Sequence, residues 1–413
     1  MYICACKHIN MIDREVYIAQ ISEFIDKPFI KVITGIRRSG KSVLLKLLIE
    51  ELKKRDIALD NIIYINFESF RFSEIKTAKH LYDYIFEKIN NKTGYYLLLD
   101  EIQEVDEWEK AVNALTVDFD IDLYITGSNS HLLSSELSTY LSGRYVQFEI
   151  YTLSFKEYLQ FKSEYSSLLS DNYSEFENYL RIGGFPAIHS SNIPFPEAYK
   201  IIYDIYTSVI LRDVVQRYRI RDIELLERVV KFIFDNIGNI LSAKNISDYF
   251  KSQHRKLDIN TVYNYLKALE SSYILYRIPR YNIRGKEILK TNEKYYVGDQ
   301  SLVYALLGYS GKLISGILEN IVMLELKRAG YKVYVGKLDN LEVDFIAKKR
   351  NEKMYIQIAY KMTERETFDR EYKPLMKIKD NYPKYVLTMD NIGKDNSNGI
   401  IHKHIADFIL DDI

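Results

Sequence analysis

The chain has 413 residues, enough for two or three separate cores. Basic and acidic side chains balance at 57 each, which excludes a global polybasic signature and leaves any nucleic-acid contact to a local patch. At 47% hydrophobic and 28% charged the composition is that of an ordinary globular protein. No apolar run reaches the ~18–20 residues that cross a bilayer, no signal-peptide pattern opens the chain, and a cytoplasmic location without membrane contact is expected. Cys4 and Cys6 are the two cysteines, and a C-x-C pair without two further ligands nearby is read as incidental rather than as a zinc site.

From Phe29 to about Ile150, apolar strand-like runs alternate with helical patterns. The strands are "FIKVIT", "NIIYINF", "YYLLLD", "DLYITGS" and "YVQFEI", and the helices between them include "KSVLLKLLIEELKKR" and "EWEKAVNALT". Continuous apolar strands separated by helices predict an α/β fold with a parallel sheet covered on both faces. Residues 151–222 read as a helical connector broken by "GGFP" and by Pro194 and Pro196. Residues 223–300 read as three helices followed by the strands "YILYRI" and "KYYVG", a winged-helix pattern. Residues 301–413 read as a third α/β unit: one helix, three strands, a charged helix and a last strand, "KYVLTMD".

"GIRRSGKS" follows the first strand and opens the first helix, the context that a G-x-x-x-x-G-K-[ST] phosphate-binding loop requires. Gly35 and Gly40 let the backbone wrap close to phosphate, and the helix N-terminus presents free N–H groups. Lys41 is placed to reach the β- and γ-phosphates and Ser42 to ligate Mg2+. Gly35, Arg38, Ser39, Gly40, Lys41, Ser42 and Val43 together are the expected contacts to ATP. About sixty residues on, "YYLLLDE" ends in Asp100 and Glu101, the first placed to hold the Mg2+ shell and the second to polarise an attacking water. Asn129, in "TGSNS", is a candidate to orient that water, against a plain turn role. Arg144, before the last core strand, is a candidate arginine finger reaching a neighbouring subunit in a homo-oligomer, against a surface role.

In that order "GIRRSGKS", "YYLLLDEIQ", "YITGSNS" and "LSGRYVQFEI" resemble a family of bacterial and archaeal AAA-type ATPases with a C-terminal domain of unknown function. "GGFP" and "LRDVVQRYRIRD" extend the likeness over nearly the whole chain. The resemblance implies an AAA-type core over residues 1–150, a winged-helix region, and a C-terminal segment similar to the restriction-endonuclease fold. It also implies the usual ATPase roles for Lys41, Ser42, Asp100, Glu101 and Asn129, and matches Arg144 to the arginine before the last core strand.

Nuclease sites of that fold place an acid on one strand and Glu-x-Lys on the next. Asp344 and Glu319 supply acids here, but Gln357 stands at the second acid's position and Ala359 at the lysine's, so a degenerate site is expected. Residues 244–294 carry eleven Lys/Arg against five Asp/Glu. Arg277, Arg280, Arg284, Lys286, Lys290 and Lys294 surround the expected wing and make double-stranded DNA a candidate partner. The leading reading is a Mg2+-dependent ATPase. A slowly hydrolysing, nucleotide-gated scaffold with a protein partner is the alternative, and an ATP-dependent nuclease the third.

Overall fold

The computed structural model describes residues 12–89, 93–130, 143–165, 170–190, 193–289, 292–362, 365–390, 395–411 and 413. Cys4, Cys6 and Lys290 lie outside the described residues. The chain divides into two compact units, Met1–Ile150 and Tyr151–Ile413.

In the first unit, β1 (Ile30–Thr34), β2 (Ile62–Asn66), β3 (Thr93–Asp100), β4 (Asp120–Gly127) and β5 (Tyr145–Glu149) form one parallel sheet in the order β2-β3-β4-β1-β5. Side chains alternate across such a sheet, and both faces are covered by helices, so every second residue belongs to a different core. Along β3, Tyr95, Leu97 and Leu99 pack with α3 (Ala78–Lys88) and α4 (Trp108–Asp118), while Tyr96 and Leu98 pack with α1 (Glu15–Ser22) and α2 (Lys41–Lys54). Truncating any of these leucines to alanine costs about 2–5 kcal/mol. Lys31 is the exception in β1: it is fully buried, and its ammonium is held by Asp122 on the neighbouring strand β4.

The second unit begins with helices α5 (Phe155–Tyr165), α6 (Asn172–Ile182), α7 (Pro186–His189) and α8 (Phe195–Ser208), the last running on as a π-helical segment, Val209–Gln216. "GGFP" forms the turn between α6 and α7. A Cβ on Gly183, at φ +74°, would lie 2.0 Å from Asp299 Oδ1, and the Gly184 N–H donates to Asp299 Oδ2 at 2.8 Å. Only glycine lets the buried carboxylate approach the turn this closely.

Next come α9 (Ile223–Asp235), β6 (Ile240–Leu241), α10 (Ala243–Ser252), α11 (Ile259–Ser271), β7 (Leu275–Ile278), β8 (Arg280–Asn282), β9 (Glu287–Ile288) and β10 (Glu293–Val297). Three of the strands make an antiparallel sheet, β6-β10-β7. The stretch expected as a wing does not stay with it. β8 pairs in parallel with β11 (Lys332–Leu338), and β9 pairs with β8, so this hairpin edges the larger sheet. Strands of two or three residues carry too few side chains to show a period, and their pairing is decided by the edge they meet.

That larger sheet has eight strands, β15-β16-β14-β13-β12-β11-β8-β9. Its members beyond β11 are β12 (Leu341–Lys349), β13 (Glu352–Ile358), β14 (Lys384–Thr388), β15 (Asp395–Ser397) and β16 (Ile400–His404). Helices α12 (Ser301–Leu307) and α13 (Ile314–Arg328) precede β11, α14 (Arg365–Met376) joins β13 to β14, and α15 (Ile405–Leu410) follows β16. "KYVLTMD" therefore is not the last strand: β15, β16 and a short helix follow it. "GIIHKH" mixes apolar and polar residues without the continuous apolar run that marked the other strands.

Candidate functional site

The glycine-rich loop leaves the C-terminal end of β1 and closes at the N-terminus of α2, whose first residue is Lys41. Three consecutive loop features hold its shape. Gly35 has φ +144°, and a Cβ there would stand 2.1 Å from the carbonyl oxygen of Ile150. Arg38 and Gly40 both take positive φ, +69° and +100°, turning the backbone back on itself. Arg14, which is 2% exposed, then donates from Nη1 to the Ser39 carbonyl oxygen at 2.9 Å.

Lys41 is buried, and its Nζ donates to the carbonyl oxygens of Gly35 (3.0 Å) and Ile36 (3.3 Å). Its ammonium lies 3.9 Å from Glu101 Oε1. Ser42 is half-buried and Val43 exposed, both in the first turn of α2, where backbone N–H groups have no helical acceptor. Arg37, beside Arg38, is paired with Glu68.

Asp100 ends β3 and is fully buried. Its Oδ1 accepts from Thr126 Oγ1 at 2.6 Å, and its Oδ2 accepts from Tyr64 Oη at 2.9 Å and Asn66 Nδ2 at 2.7 Å. A carboxylate has about four acceptor positions, so three are occupied and one on Oδ1 is left. Burial, and then the Asp100 charge, push the Tyr64 phenol well above its ordinary range, which keeps it a donor. Glu101 follows in the left-handed region at φ +56°. Its N–H donates to Thr126 Oγ1 at 2.9 Å, and its Oε2 accepts from Gln103 Nε2 at 2.5 Å. A non-glycine residue at positive φ costs of order 1–3 kcal/mol, and here the surrounding bonds hold it there.

Sheet order puts β4 between β3 and β1, so the fully buried Asn129, two residues past β4, follows the strand lying between the acid pair and the glycine-rich loop. Gly35, Arg38, Ser39, Gly40, Lys41, Ser42, Val43, Asp100, Glu101 and Asn129 thus all follow or end strands at one edge of the sheet. Arg144 does not. It is exposed immediately before β5, beside the start of β1, where its carbonyl oxygen accepts from Ile30 N at 2.9 Å. With a rise of ~3.3 Å per residue, the five residues of β1 separate it from the loop by roughly 16 Å.

Five residues of this site escaped the sequence reading: Arg14, Tyr64, Asn66, Gln103 and Thr126. A faint signal existed for two of them. Asn66 and Thr126 are polar residues at the C-terminal ends of otherwise apolar strands, the end at which Asp100 also stands.

The remaining candidates lie in the second unit. Glu319 (on α13), Asp344 (on β12) and Gln357 (on β13) line one cavity of about 720 Å3, together with Glu342 and Glu371. Gln357 Oε1 accepts from Asp344 N at 2.9 Å, and its Nε2 donates to Glu371 Oε2 at 2.6 Å. The basic stretch is dispersed. Arg277 is paired with Glu270 (3.4 Å) and Glu293 (3.8 Å), and Arg284 with Asp339 (2.8 Å). Arg280 is half-buried on β8, Lys286 is exposed in the β8–β9 turn, and Lys294 is buried at the cavity.

A family model described as an AAA domain matches residues 27–159, and a domain of unknown function (DUF8612) matches residues 173–313. An uncharacterized protein of Haemophilus influenzae is 42% identical over 403 residues, covering 97% of this chain and 99% of that protein. The uncharacterized protein MJ1544 of Methanocaldococcus jannaschii is 33% identical over 400 residues, covering 94% and 84%. Among solved structures, a Walker-type ATPase of Pyrococcus abyssi aligns at 17% identity and TM-score 0.49, over 71% of this chain and 95% of that one. The Aeropyrum pernix ORC1 protein, solved in complex with DNA, aligns at 13% identity and TM-score 0.34, over 73% and 94%. Among the described residues no helix is long and apolar enough to cross a membrane.

Proposed function

The chain belongs to the same family as the Haemophilus influenzae and Methanocaldococcus jannaschii proteins and carries an AAA domain over residues 27–159, and from that premise we propose that it binds ATP at Gly35–Val43 and hydrolyses it to ADP and phosphate. The observation that carries this reading is the meeting of Lys41 with the acid pair: its ammonium stands 3.9 Å from Glu101, next in sequence to an Asp100 held by three donors. A loop lysine, a fixed carboxylate and a second carboxylate at one sheet edge are the parts that phosphoryl transfer to water requires.

The oxygen donors fit a magnesium ion. The Ser42 hydroxyl in the first turn of α2 and the one remaining acceptor position of Asp100 Oδ1 are hard oxygen ligands, the kind magnesium takes while keeping several waters. A magnesium ion held there by Ser42 and Asp100 would supply positive charge to offset that of the phosphates. The protein's own groups do the rest. Backbone N–H groups at the start of α2 bind the phosphates, and Lys41 turns from the Gly35 and Ile36 carbonyls to the β- and γ-phosphates. Glu101 accepts the proton of the attacking water, with Gln103 holding its other oxygen. Asn129 orients that water. Arg144, roughly 16 Å from its own loop, acts on the nucleotide of a second copy or takes no part.

Replacing Lys41 by alanine removes ATP binding in calorimetry. Glu101→Gln keeps binding and lowers single-turnover hydrolysis by ~10²–10⁴. An unchanged rate in Glu101→Gln takes the base role from Glu101, and retained affinity in Lys41→Ala overturns the reading as a whole.

A second reading, DNA binding, is favoured by the module over residues 223–297. Its three helices and antiparallel sheet have the make-up of a winged helix, and the residues from 301 onward are read as a restriction-endonuclease-like fold. On α11 the residues Asn260, Tyr263, Asn264 and Lys267 are exposed on one face, with Lys256 exposed just before it, whereas nearby Lys251 and Arg255 are paired with Asp248 and Glu224. That face, rather than the internally paired Arg277 and Arg284, is the one we propose contacts duplex DNA. Fluorescence anisotropy over a range of salt concentrations tests it. Lys267→Ala is expected to lower the salt slope by about 1, and an unchanged slope removes this face.

A further inference from the structure

The cavity between α13, β12 and β13 holds more negative than positive charge, yet three of its acids face a cation supplied by a different module. Lys294 comes from β10, a strand of the small antiparallel sheet, and is 3% exposed. Its Nζ stands 2.8 Å from Glu342 Oε1, 3.1 Å from Glu319 Oε2 and 3.5 Å from Asp344 Oδ1. An ammonium has three donors, and three carboxylates meet them.

The acids are also held from behind. Tyr296 Oη donates to Glu319 Oε2 at 2.6 Å, and the Ile358 N–H donates to Asp344 Oδ2 at 2.9 Å. Gly238 packs against the other side of Glu319, where a Cβ would lie 3.3 Å from both carboxylate oxygens. Two buried carboxylates, Glu319 and Asp344, and the half-buried Glu342 cannot be gathered this closely unless a cation neutralises them. In hydrolytic sites of this type that cation is a metal ion at ~2.0–2.6 Å from its oxygens.

We infer that the ammonium of Lys294 is the resident cation of this acid cluster, so that the C-terminal domain is assembled without a divalent metal and takes one only when that ammonium is withdrawn. The substitutions at Gln357 and Ala359 then have a common sense. Gln357, bonded to both Asp344 N and Glu371, spends its amide on tying strands and helix together, and the lysine of the domain enters from β10 instead of from position 359. Lys294 also ties β10 of the small sheet to α13 and β12, so its charge joins two modules of the unit.

The test uses the nucleotide-free full chain and Mn2+ as the probe, read by electron paramagnetic resonance and by melting temperature. Wild type is expected to keep its melting temperature in EDTA. Lys294→Met keeps the aliphatic volume and removes the charge, so it is expected to melt lower than wild type, to regain that loss in Mn2+, and to hold one Mn2+ more per chain. The site at the glycine-rich loop is common to both proteins and cancels in the difference. If wild type loses stability in EDTA and Asp344→Asn abolishes that loss, the cluster already holds a metal and the inference is wrong. It is equally wrong if Lys294→Met folds and gains no ion. Should the variant be recovered only from inclusion bodies, refolding with and without Mn2+ gives the same reading: recovery only with Mn2+ supports the inference, and recovery in neither condition overturns it.

Discussion

Thr126 donates to Asp100 Oδ1 at 2.6 Å and accepts the N–H of Glu101 at 2.9 Å, so one hydroxyl on β4 orients both acids at the end of β3. Removing it leaves a buried N–H unpaired, a cost of about 1–3 kcal/mol, and frees Asp100 to turn. Thr126→Val is therefore expected to lower the ATP hydrolysis rate by ~10–100-fold while nucleotide affinity changes little, the usual scale for a residue that orients a metal-binding carboxylate. Thr126→Ser restores the rate. Equal steady-state rates for Val and wild type would remove Thr126 from the site.

The contact of Gly35 with Ile150 predicts a different kind of damage. A Cβ 2.1 Å from a carbonyl oxygen cannot be accommodated without moving the loop away from β5, and the backbone angle is unfavourable as well. Gly35→Ala is expected to lose ATP binding and to destabilise the first unit by roughly 2–4 kcal/mol. Calorimetric titration and thermal unfolding read the two effects separately, and an intact binding isotherm would show that the loop tolerates the displacement.

Arg144 stands at the opposite end of the sheet from its own loop, so the finger role proposed for it requires a second copy. Specific ATPase activity of the wild type is expected to rise with protein concentration, and Arg144→Ala is expected to abolish that rise with ATP affinity unchanged. An arginine that completes a site in trans can be worth ~10³–10⁵ in rate. A wild-type rate that is independent of concentration assigns Arg144 to the surface.

His189, in the short helix after "GGFP", has a titration of predictable sign. Burial lowers its pKa from 6.5 to about 4, and its Nε2 donates to the Gly183 carbonyl oxygen at 2.8 Å. A folded-state value below the unfolded one means the stabilisation is complete above pH 6.5 and is lost as pH falls toward 4, about 3 kcal/mol over that window. His189→Gln stays neutral and keeps a donor, so the difference in stability between wild type and variant should shift toward the variant between pH 6.5 and 4. A constant difference across that range would show that His189 does not titrate with unfolding.

Elements built from a local rule were legible in advance. The glycine-rich loop, the acid pair and the five core strands each follow from residues next to one another: turn, helix start, continuous apolar run. Asn66 and Thr126 were not found, because their role comes from strand pairing. Register sets Asn66 opposite Asp100, and the same parallel pairing brings the end of β4 beside the end of β3. Neither relation leaves a spacing in the chain.

Lys294 shows the same division most sharply. By position it belongs to a run of basic residues and reads as part of an exposed wing, but pairing of β10 with β7 and β6 turns its side chain inward to acids 25 and 50 residues away. Composition, motif order and apolar periodicity by themselves determined the parallel-sheet core and the place of its glycine-rich loop between β1 and α2, because each depends on neighbours in sequence. Which charges are buried, which are paired and which remain at the surface was decided only by the tertiary structure, since a charge can leave water only where the fold brings it an opposite one.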